Sequence, residues 1–118
     1  MSYLSFSTLN SLDEFSFIAG NTYTLEFTVF EENGITPVDL SGATIVWTLC
    51  PYGQPTYSVL QKTGSITGAN TFSVSLTAAN TLSLSGKYIH QPVITSFAGS
   101  VYRPAQGVVL ILPAVATT

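Results

Sequence analysis

Few side chains in this chain of 118 residues could do acid–base or nucleophilic chemistry, since it has one His and one Cys. A lone His90 in a strand, with no Cys/Asp/Glu cluster beside it, is more typical of a structural residue than of a general base. Cys50 precedes Pro51 and is expected to be a small buried residue rather than a nucleophile. The Gly-x-Ser-x-Gly pattern of a nucleophile elbow is absent, as is the helix it requires. The sequence therefore predicts a protein that is not an enzyme.

Metal and cofactor sites are also not expected. Zinc needs three or four Cys, His or carboxylate ligands, which no cluster supplies. Glu31, Glu32 and Asp39 flank one loop, but they lack the regular acidic spacing of a calcium loop. The neighbouring pairs Asp13/Glu14 and Glu31/Glu32 are interpreted as solvated charges. No glycine-rich phosphate cradle is present.

Charged residues make up only 8% of the chain, against about 25% in an average domain. The net charge is −3, and the three basic residues (Lys62, Lys87 and Arg103) are too few to neutralise a phosphate backbone. Nucleic acid is therefore not an expected partner. Depletion of charge is typical of surfaces that another protein covers. The alternative is a small Ser/Thr-rich β domain whose exterior is simply neutral.

No stretch is long and apolar enough to predict a membrane-spanning helix, since the longest apolar segment, residues 107–113, is the size of a strand. Residues 1–6 contain no basic residue and no continuous apolar run, so they do not resemble a secretory signal. We expect a protein made in a cytoplasm, with no membrane partner.

Alternation of apolar and polar residues predicts strands along most of the chain. In residues 44–49, Ile45, Trp47 and Leu49 fall on one face, which is the pattern of a half-buried strand. About seven such segments, with turn signals every 8–12 residues, predict an all-β fold, an immunoglobulin-like β-sandwich of antiparallel strands. A jelly roll or a small barrel is the alternative. The expected organisation is an N-terminal arm (1–14), a sandwich (15–113) and a C-terminal tail (114–118).

The expected core consists of the inward-facing apolar residues of these strands and of one turn: Leu25, Phe27, Ile45, Trp47, Phe72, Leu76, Leu82 and Tyr88. Gly86 to Thr95 is predicted to be a long strand, bent or bulged near Pro92. Near its start, the Tyr88 hydroxyl is expected to bond backbone a few residues upstream, as in a tyrosine corner. Leu82, Trp47 and Tyr88 are expected in one cluster.

The N-terminal arm contains apolar residues that a free arm would not normally expose. We therefore interpret it as a candidate interface through Tyr3, Leu4, Phe6, Leu9 and Leu12. The arm would dock on a neighbouring molecule or back on its own domain. The alternative is an extra edge strand or short helix that packs locally.

Several segments together resemble a known family. They include Phe17-Ile18-Ala19-Gly20-Asn21-Thr22, the run Pro37-Val38-Asp39-Leu40-Ser41-Gly42-Ala43-Thr44-Ile45-Val46-Trp47, the triplet Gly86-Lys87-Tyr88 and the closing Gly107-Val108-Val109-Leu110. This pattern resembles the immunoglobulin-like N-terminal domain of the phage baseplate upper protein family and related small tailed-phage virion proteins. The resemblance spans about residues 17–112.

The resemblance implies a structural role in a phage virion and no active site. In the family the domain anchors a larger protein, whereas here it stands alone, which favours a small protein present in many copies. The leading hypothesis is a capsid decoration (cement) protein, made in the host cytoplasm, that binds the major capsid protein or other virion proteins and forms homo-oligomer or lattice contacts.

Two other functions remain open at this point. The first is a baseplate, tail or head–tail connector component. The second is an adhesion or carbohydrate-binding module, whose signature would be stacking of Tyr52, Tyr57 and Tyr102 on one exposed face.

Overall fold

The computed structural model describes residues 15–30, 36–54, 56–103 and 106–114, and the backbone of residues 2–7. Within these residues the chain forms strands and one short helix, in the order β1 (Ser2–Ser7), β2 (Phe15–Ile18), β3 (Tyr23–Thr28), β4 (Thr44–Pro51), β5 (Leu60–Thr63), β6 (Ser65–Ile66), β7 (Thr71–Leu76), α1 (Ala78–Thr81), β8 (Gly86–Thr95), β9 (Val101–Tyr102) and β10 (Gly107–Leu112).

The strands form two sheets, and the fold is an all-β, immunoglobulin-like sandwich. One sheet has the order β1-β3-β7-β6, and the other has the order β2-β10-β8-β4-β5, with β9 also paired to β8. The run β10-β8-β4-β5 corresponds to the G, F, C and C′ strands of a variable-type immunoglobulin domain, and β3 and β7 correspond to B and E. The antiparallel centre carries two parallel additions, β1 on β3 and β2 on β10.

Alternation along the strands fills the space between the sheets. Tyr23, Leu25 and Phe27 of β3 are buried, as are Ile45, Trp47 and Leu49 of β4, whereas their sequence neighbours are more exposed. Seven of the residues expected in the core are buried: Leu25, Phe27, Ile45, Trp47, Phe72, Leu76 and Tyr88.

The prediction that Leu82 lies in the core is wrong, since its side chain is 61% exposed. The chain leaves the β period here to form α1, and the turn directs Thr81 inward instead. Thr81 is fully buried, and its Oγ1 accepts a hydrogen bond of 3.0 Å from the Gly20 N–H. Leu82 follows as the C-terminal cap of the helix and packs beside Gly20 at the surface.

The predicted tyrosine corner is present. The Tyr88 hydroxyl donates to the Ser85 carbonyl at 3.1 Å, three residues upstream. Gly86 between them adopts φ +109°, a conformation that a side chain would disfavour. The contact fixes the point at which the chain crosses from α1 into β8.

Residues 2–7 form an edge strand of the four-stranded sheet. Their backbone pairs with β3 in register, Ser2 opposite Tyr23 and Ser7 opposite Thr28. This matches the edge-strand alternative for that part of the expected arm. Leu9, Leu12 and the side chains of Tyr3, Leu4 and Phe6 lie outside the described residues, as do residues 115–118 of the tail.

Candidate functional site

His90 lies in the core of the sandwich, where it serves as a hydrogen-bond partner for the only Trp. The Trp47 Nε1–H donates to His90 Nδ1 at 3.0 Å, so the neutral ring carries its proton on Nε2. Phe15 meets the imidazole edge-on, with ring centroids 5.3 Å apart. Burial lowers the pKa of His90 to about 4. A neutral imidazole held in this way fits a structural role.

The other potentially reactive groups of the described residues do not form a metal-binding cluster. Cys50 is buried on β4, and burial raises the pKa of its thiol. Among the residues that the structure describes, no group of three or more His, Cys, Asp or Glu side chains could hold a metal ion. Asp13, Glu14, Glu31 and Glu32 lie outside the described residues.

A break in the strand next to β8 opens a groove on the outer face of the six-stranded sheet. His90 pairs with Gly107 of β10, and Ile94 pairs with Tyr102 of β9, so the register along β8 differs by one residue between these two pairs. β8 itself runs unbroken and pairs with β4 in continuous register through Pro92, so the bulge expected there is not found on the side of β4.

Pro92 is tolerated in this central strand because its backbone nitrogen does not point toward β4. Tyr52 N–H donates to the Lys87 carbonyl at 3.0 Å, so Lys87 directs its backbone toward β4. Alternate residues point to opposite neighbours, which turns Pro92 away from β4, so the ladder with β4 loses no hydrogen bond.

The groove at the break has a volume of about 240 Å³. Its lining combines the amide side chains of Gln61, Gln91 and Gln106 with Arg103 and with apolar residues such as Val93. The amide and guanidinium groups can form hydrogen bonds with a molecule in the groove.

One end of the sandwich, which we call the loop end, is formed by the β3–β4 connection, the β6–β7 turn and the β8–β9 turn. Backbone bonds brace these segments against each other: Val29 N–H donates to the Asn70 carbonyl at 2.8 Å, and Leu40 N–H donates to the Ala69 carbonyl at 2.9 Å. The Tyr102 hydroxyl donates to the Phe30 carbonyl at 2.8 Å. The loop end is therefore tied together across both sheets.

The Asp39-Leu40-Ser41-Gly42 run forms a tight turn at the loop end. The Asp39 carboxylate accepts a hydrogen bond of 3.0 Å from the Ser41 N–H, and this contact lowers the pKa of Asp39. Leu40 is fully buried and anchors the turn in the core. Gly42 then adopts φ +70° and exposes its backbone to the ring of Phe97.

Phe97 is an exposed aromatic residue at the tip of the β8–β9 turn. Its side chain is 87% exposed. The sequence analysis gave Phe97 no role. The sequence does contain a signal that could have identified it. Phe97 is followed by the small residues Ala98, Gly99 and Ser100, which cannot bury a large neighbouring side chain.

The three tyrosines of the carbohydrate-binding alternative do not lie together. Tyr52 and Tyr57 are exposed beside the β4–β5 turn, where Lys87 Nζ lies 4.1 Å from the Tyr52 ring centroid. Tyr102 pairs with Ile94, which pairs with Ile45 at the start of β4. Seven residues of strand therefore separate Tyr102 from Tyr52, which is roughly 23 Å. The stacking signature is not assembled.

No described helix has the length and apolar character needed to cross a membrane.

Comparisons with known proteins give structural similarity but no sequence family. No protein-family model matches the chain, and no curated protein sequence matches it. Similar solved structures include the cysteine protease inhibitor EhICP2 from Entamoeba histolytica, with 12% identity, TM-score 0.47 and coverage of 94% of this chain and 96% of that chain. Murine CRIg has 7% identity, TM-score 0.45 and coverage of 86% and 92%. CopC from Methylosinus trichosporium OB3b has 12% identity, TM-score 0.40 and coverage of 68% and 76%. Similarities at this level do not indicate what the chain binds.

Proposed function

We propose that this chain is a non-enzymatic structural protein of a tailed-phage virion, and that it decorates the capsid by binding the major capsid protein. The observation that carries the proposal is a surface that is poor in charge and exposes large apolar side chains. Large apolar side chains are exposed at both ends of the sandwich, including Phe97 at 87% and Leu82 at 61%, on a chain with only 8% charged residues. Exposed apolar groups on a charge-poor surface are typical of protein–protein contact sites.

The arrangement of these side chains suits a subunit that bridges neighbours. Phe97 and Val101 lie at the loop end, whereas Tyr52, Tyr57 and Leu82 lie at the opposite end. One copy could therefore contact two capsomers across a seam. Each contact can be small, because repetition over a lattice raises the effective affinity.

The resemblance to the baseplate upper protein domain supports a virion role. Its most specific run contains the turn of Asp39, Leu40 and Gly42, which braces the loop end. The same fold could serve in a ring of the baseplate, tail or connector. The position of the protein on the particle distinguishes this alternative from capsid decoration.

The test is electron microscopy of particles of the phage that encodes this protein, together with particles from the same phage with the gene deleted. The proposal expects difference density repeated over the icosahedral shell. Density confined to the tail or neck would favour the ring alternative. Particles that lack the protein altogether would contradict both.

A further inference from the structure

We propose that the outer face of the six-stranded sheet binds a second copy of this chain, in a two-fold pair with sheet packed on sheet. The inference goes beyond the proposed function. It is tested on the purified protein without particles, so its failure and the failure of the virion function are distinguishable.

The two outer faces of the sandwich differ, although one charge-poor chain builds both. On β3 and β7, the central strands of the four-stranded sheet, every outward side chain is hydrophilic: Thr24, Glu26, Thr28, Thr71, Ser73 and Ser75. The outward side chains of the six-stranded sheet include the apolar residues Ile18, Val46, Ile89, Val93, Leu110 and Leu112. An antiparallel sheet that faces water normally has a polar outer face. The outer face of the six-stranded sheet therefore has the composition of a covered surface.

The size of this face suits a reversible pair. The five strands β2-β10-β8-β4-β5 span about 24 Å, and a six-residue strand such as β10 spans about 20 Å. The face therefore offers roughly 480 Å² in projection, and more as accessible surface because side chains project from it. Standard interfaces bury about 800 Å² on each partner, and weak ones less than about 600 Å². We expect a dissociation constant in the micromolar range.

A row of polar side chains crosses the middle of the face. Thr48 of β4 pairs with Gln91 of β8 on one side and with Gln61 of β5 on the other. Amide and hydroxyl groups both donate and accept hydrogen bonds, so each can bond its own equivalent. Sheets packed face to face keep their strand directions within about 30°, so a two-fold axis between them runs either along the strands or across them. An axis across the strands along this row gives each of the three residues its own equivalent as a complement.

This axis also brings exposed apolar residues of the two copies together. Leu110 pairs with Lys87 and Val101 pairs with Thr95, at levels four residues to either side of Gln91. Rotation about the row exchanges these levels, so Leu110 of each copy would meet Val101 of the other. Their side chains are 40% and 55% exposed. Within one copy they lie about 26 Å apart, because eight residues of β8 separate their levels.

The charged residues that the structure describes limit which axis is acceptable. Lys87 and Arg103 lie on this face. Glu26 is on the opposite outer face, Asp39 is at the loop end, and Lys62 is on the core side of its strand. A second copy adds the same two cations and no described acid, so the axis must keep like charges apart.

The axis across the strands meets this requirement. It would place Lys87 against Thr95 of the second copy, with the two Lys87 residues about 26 Å apart. That distance exceeds the screening length of about 8 Å at physiological salt. The two Arg103 residues would lie on opposite sides of the axis. An axis along β8 would instead place the two Lys87 side chains together.

Sedimentation equilibrium of the purified full-length protein tests the pair. Leu110→Lys removes an exposed apolar side chain and adds a third cation to the face. We expect it to raise the dissociation constant of the dimer at least about tenfold. The matched control is Ser75→Lys, which adds the same charge at an exposed strand position on the opposite outer face. Its dissociation constant should stay within about threefold of wild type.

A double variant tests the axis itself. Val101→Glu alone should weaken the dimer, because it places a charge against Leu110 of the other copy. Combined with Leu110→Lys, it creates opposite charges that can meet only between copies, since about 26 Å separates the two positions within one copy. We expect the double variant to recover most of the affinity that Leu110→Lys loses.

Each outcome decides one part of the inference. Wild-type protein that stays monomeric up to about 0.5 mM overturns the pair and leaves the face to a different protein. Equal losses for Leu110→Lys and Ser75→Lys overturn the choice of face, and a double variant that recovers nothing overturns the axis. Thermal unfolding checks that each variant is folded. If Leu110→Lys unfolds at a clearly lower temperature, the neutral Leu110→Ser takes its place, and an unchanged dissociation constant for that variant overturns the choice of face.

Discussion

At the scale of single residues, the His90–Trp47 pair makes stability depend on pH. The His90 ring faces Trp47, Phe15 and Phe27, none of which carries a charge. In the unfolded chain His90 takes a proton near its ordinary pKa of 6.5, whereas in the folded chain its pKa is lowered to about 4. Between these values the unfolded state binds more protons, so the free energy of unfolding rises with pH.

We expect the contribution of His90 to be complete above pH 6.5 and to be lost progressively as the pH falls to about 4. The loss corresponds to roughly 3 kcal/mol. Urea unfolding at a series of pH values measures it, and a His90→Gln variant provides the control, since its stability should change much less over that window. Equal pH dependence in both proteins would contradict the assignment to His90.

The residues that sequence alone placed correctly are those governed by local alternation. Trp47 and Leu25 are buried because successive side chains of a strand point to opposite faces, which can be read from the sequence. Leu82 was misplaced because one helical turn at α1 changes the period and sends Thr81 inward. Phe97 was missed as a candidate site because its exposure and orientation depend on its approach to Gly42, far away in the chain.

At the scale of elements, the tyrosine corner holds the start of β8. Tyr88→Phe removes only the hydroxyl that donates to the Ser85 carbonyl. We expect a loss of about 1 kcal/mol in unfolding free energy, the usual value of one such bond. Denaturant unfolding measures it, with Tyr57→Phe as the control, since Tyr57 is 61% exposed. A Tyr88→Phe loss no greater than that of Tyr57→Phe would show that the corner adds nothing.

Substitutions at Gly42 and Gly53 distinguish the effect of backbone strain from the effect of disturbing Phe97. Gly42 and Gly53 both have positive φ, +70° and +82°, but only Gly42 contacts Phe97, whereas nothing lies within 4 Å of a Cβ at Gly53. Replacing either glycine by Ala should lower the free energy of unfolding by about 1–2 kcal/mol.

Only Gly42→Ala should also weaken particle binding, because it displaces the ring. Parallel measurements of unfolding and of binding to gene-deleted particles test this. If Gly53→Ala weakens binding as much, general destabilisation and not the Phe97 contact is responsible.

The pairings between distant elements could not be obtained from the sequence. About seven antiparallel strands were expected, whereas the described residues form ten. The parallel positions of β1 and β2 were not expected, because they depend on contacts between segments far apart in the chain. The break between β9 and β10 likewise follows from a register shift that no single strand contains.

At the scale of the whole molecule, the scarcity of charge predicts binding that is insensitive to salt. Contacts between neutral surfaces gain little from Coulomb attraction, which salt would screen. We expect affinity for particles to change less than about threefold between about 0.05 M and about 0.5 M salt. Titration of labelled protein onto gene-deleted particles at several salt concentrations checks this. A steep fall in affinity would instead indicate that the acidic residues or the few basic ones carry the contact.

The parallel pairing of β2 with β10 has a mechanical consequence. These strands lie near the two ends of the chain and run in the same direction, with Phe15 opposite Val109 and Ile18 opposite Leu112. Tension applied between the start of β2 and the end of β10 would slide one strand along the other. All the hydrogen bonds of the pair would then bear the load together and not break one at a time. Strands loaded in shear in this way resist separation more strongly than strands that are peeled apart.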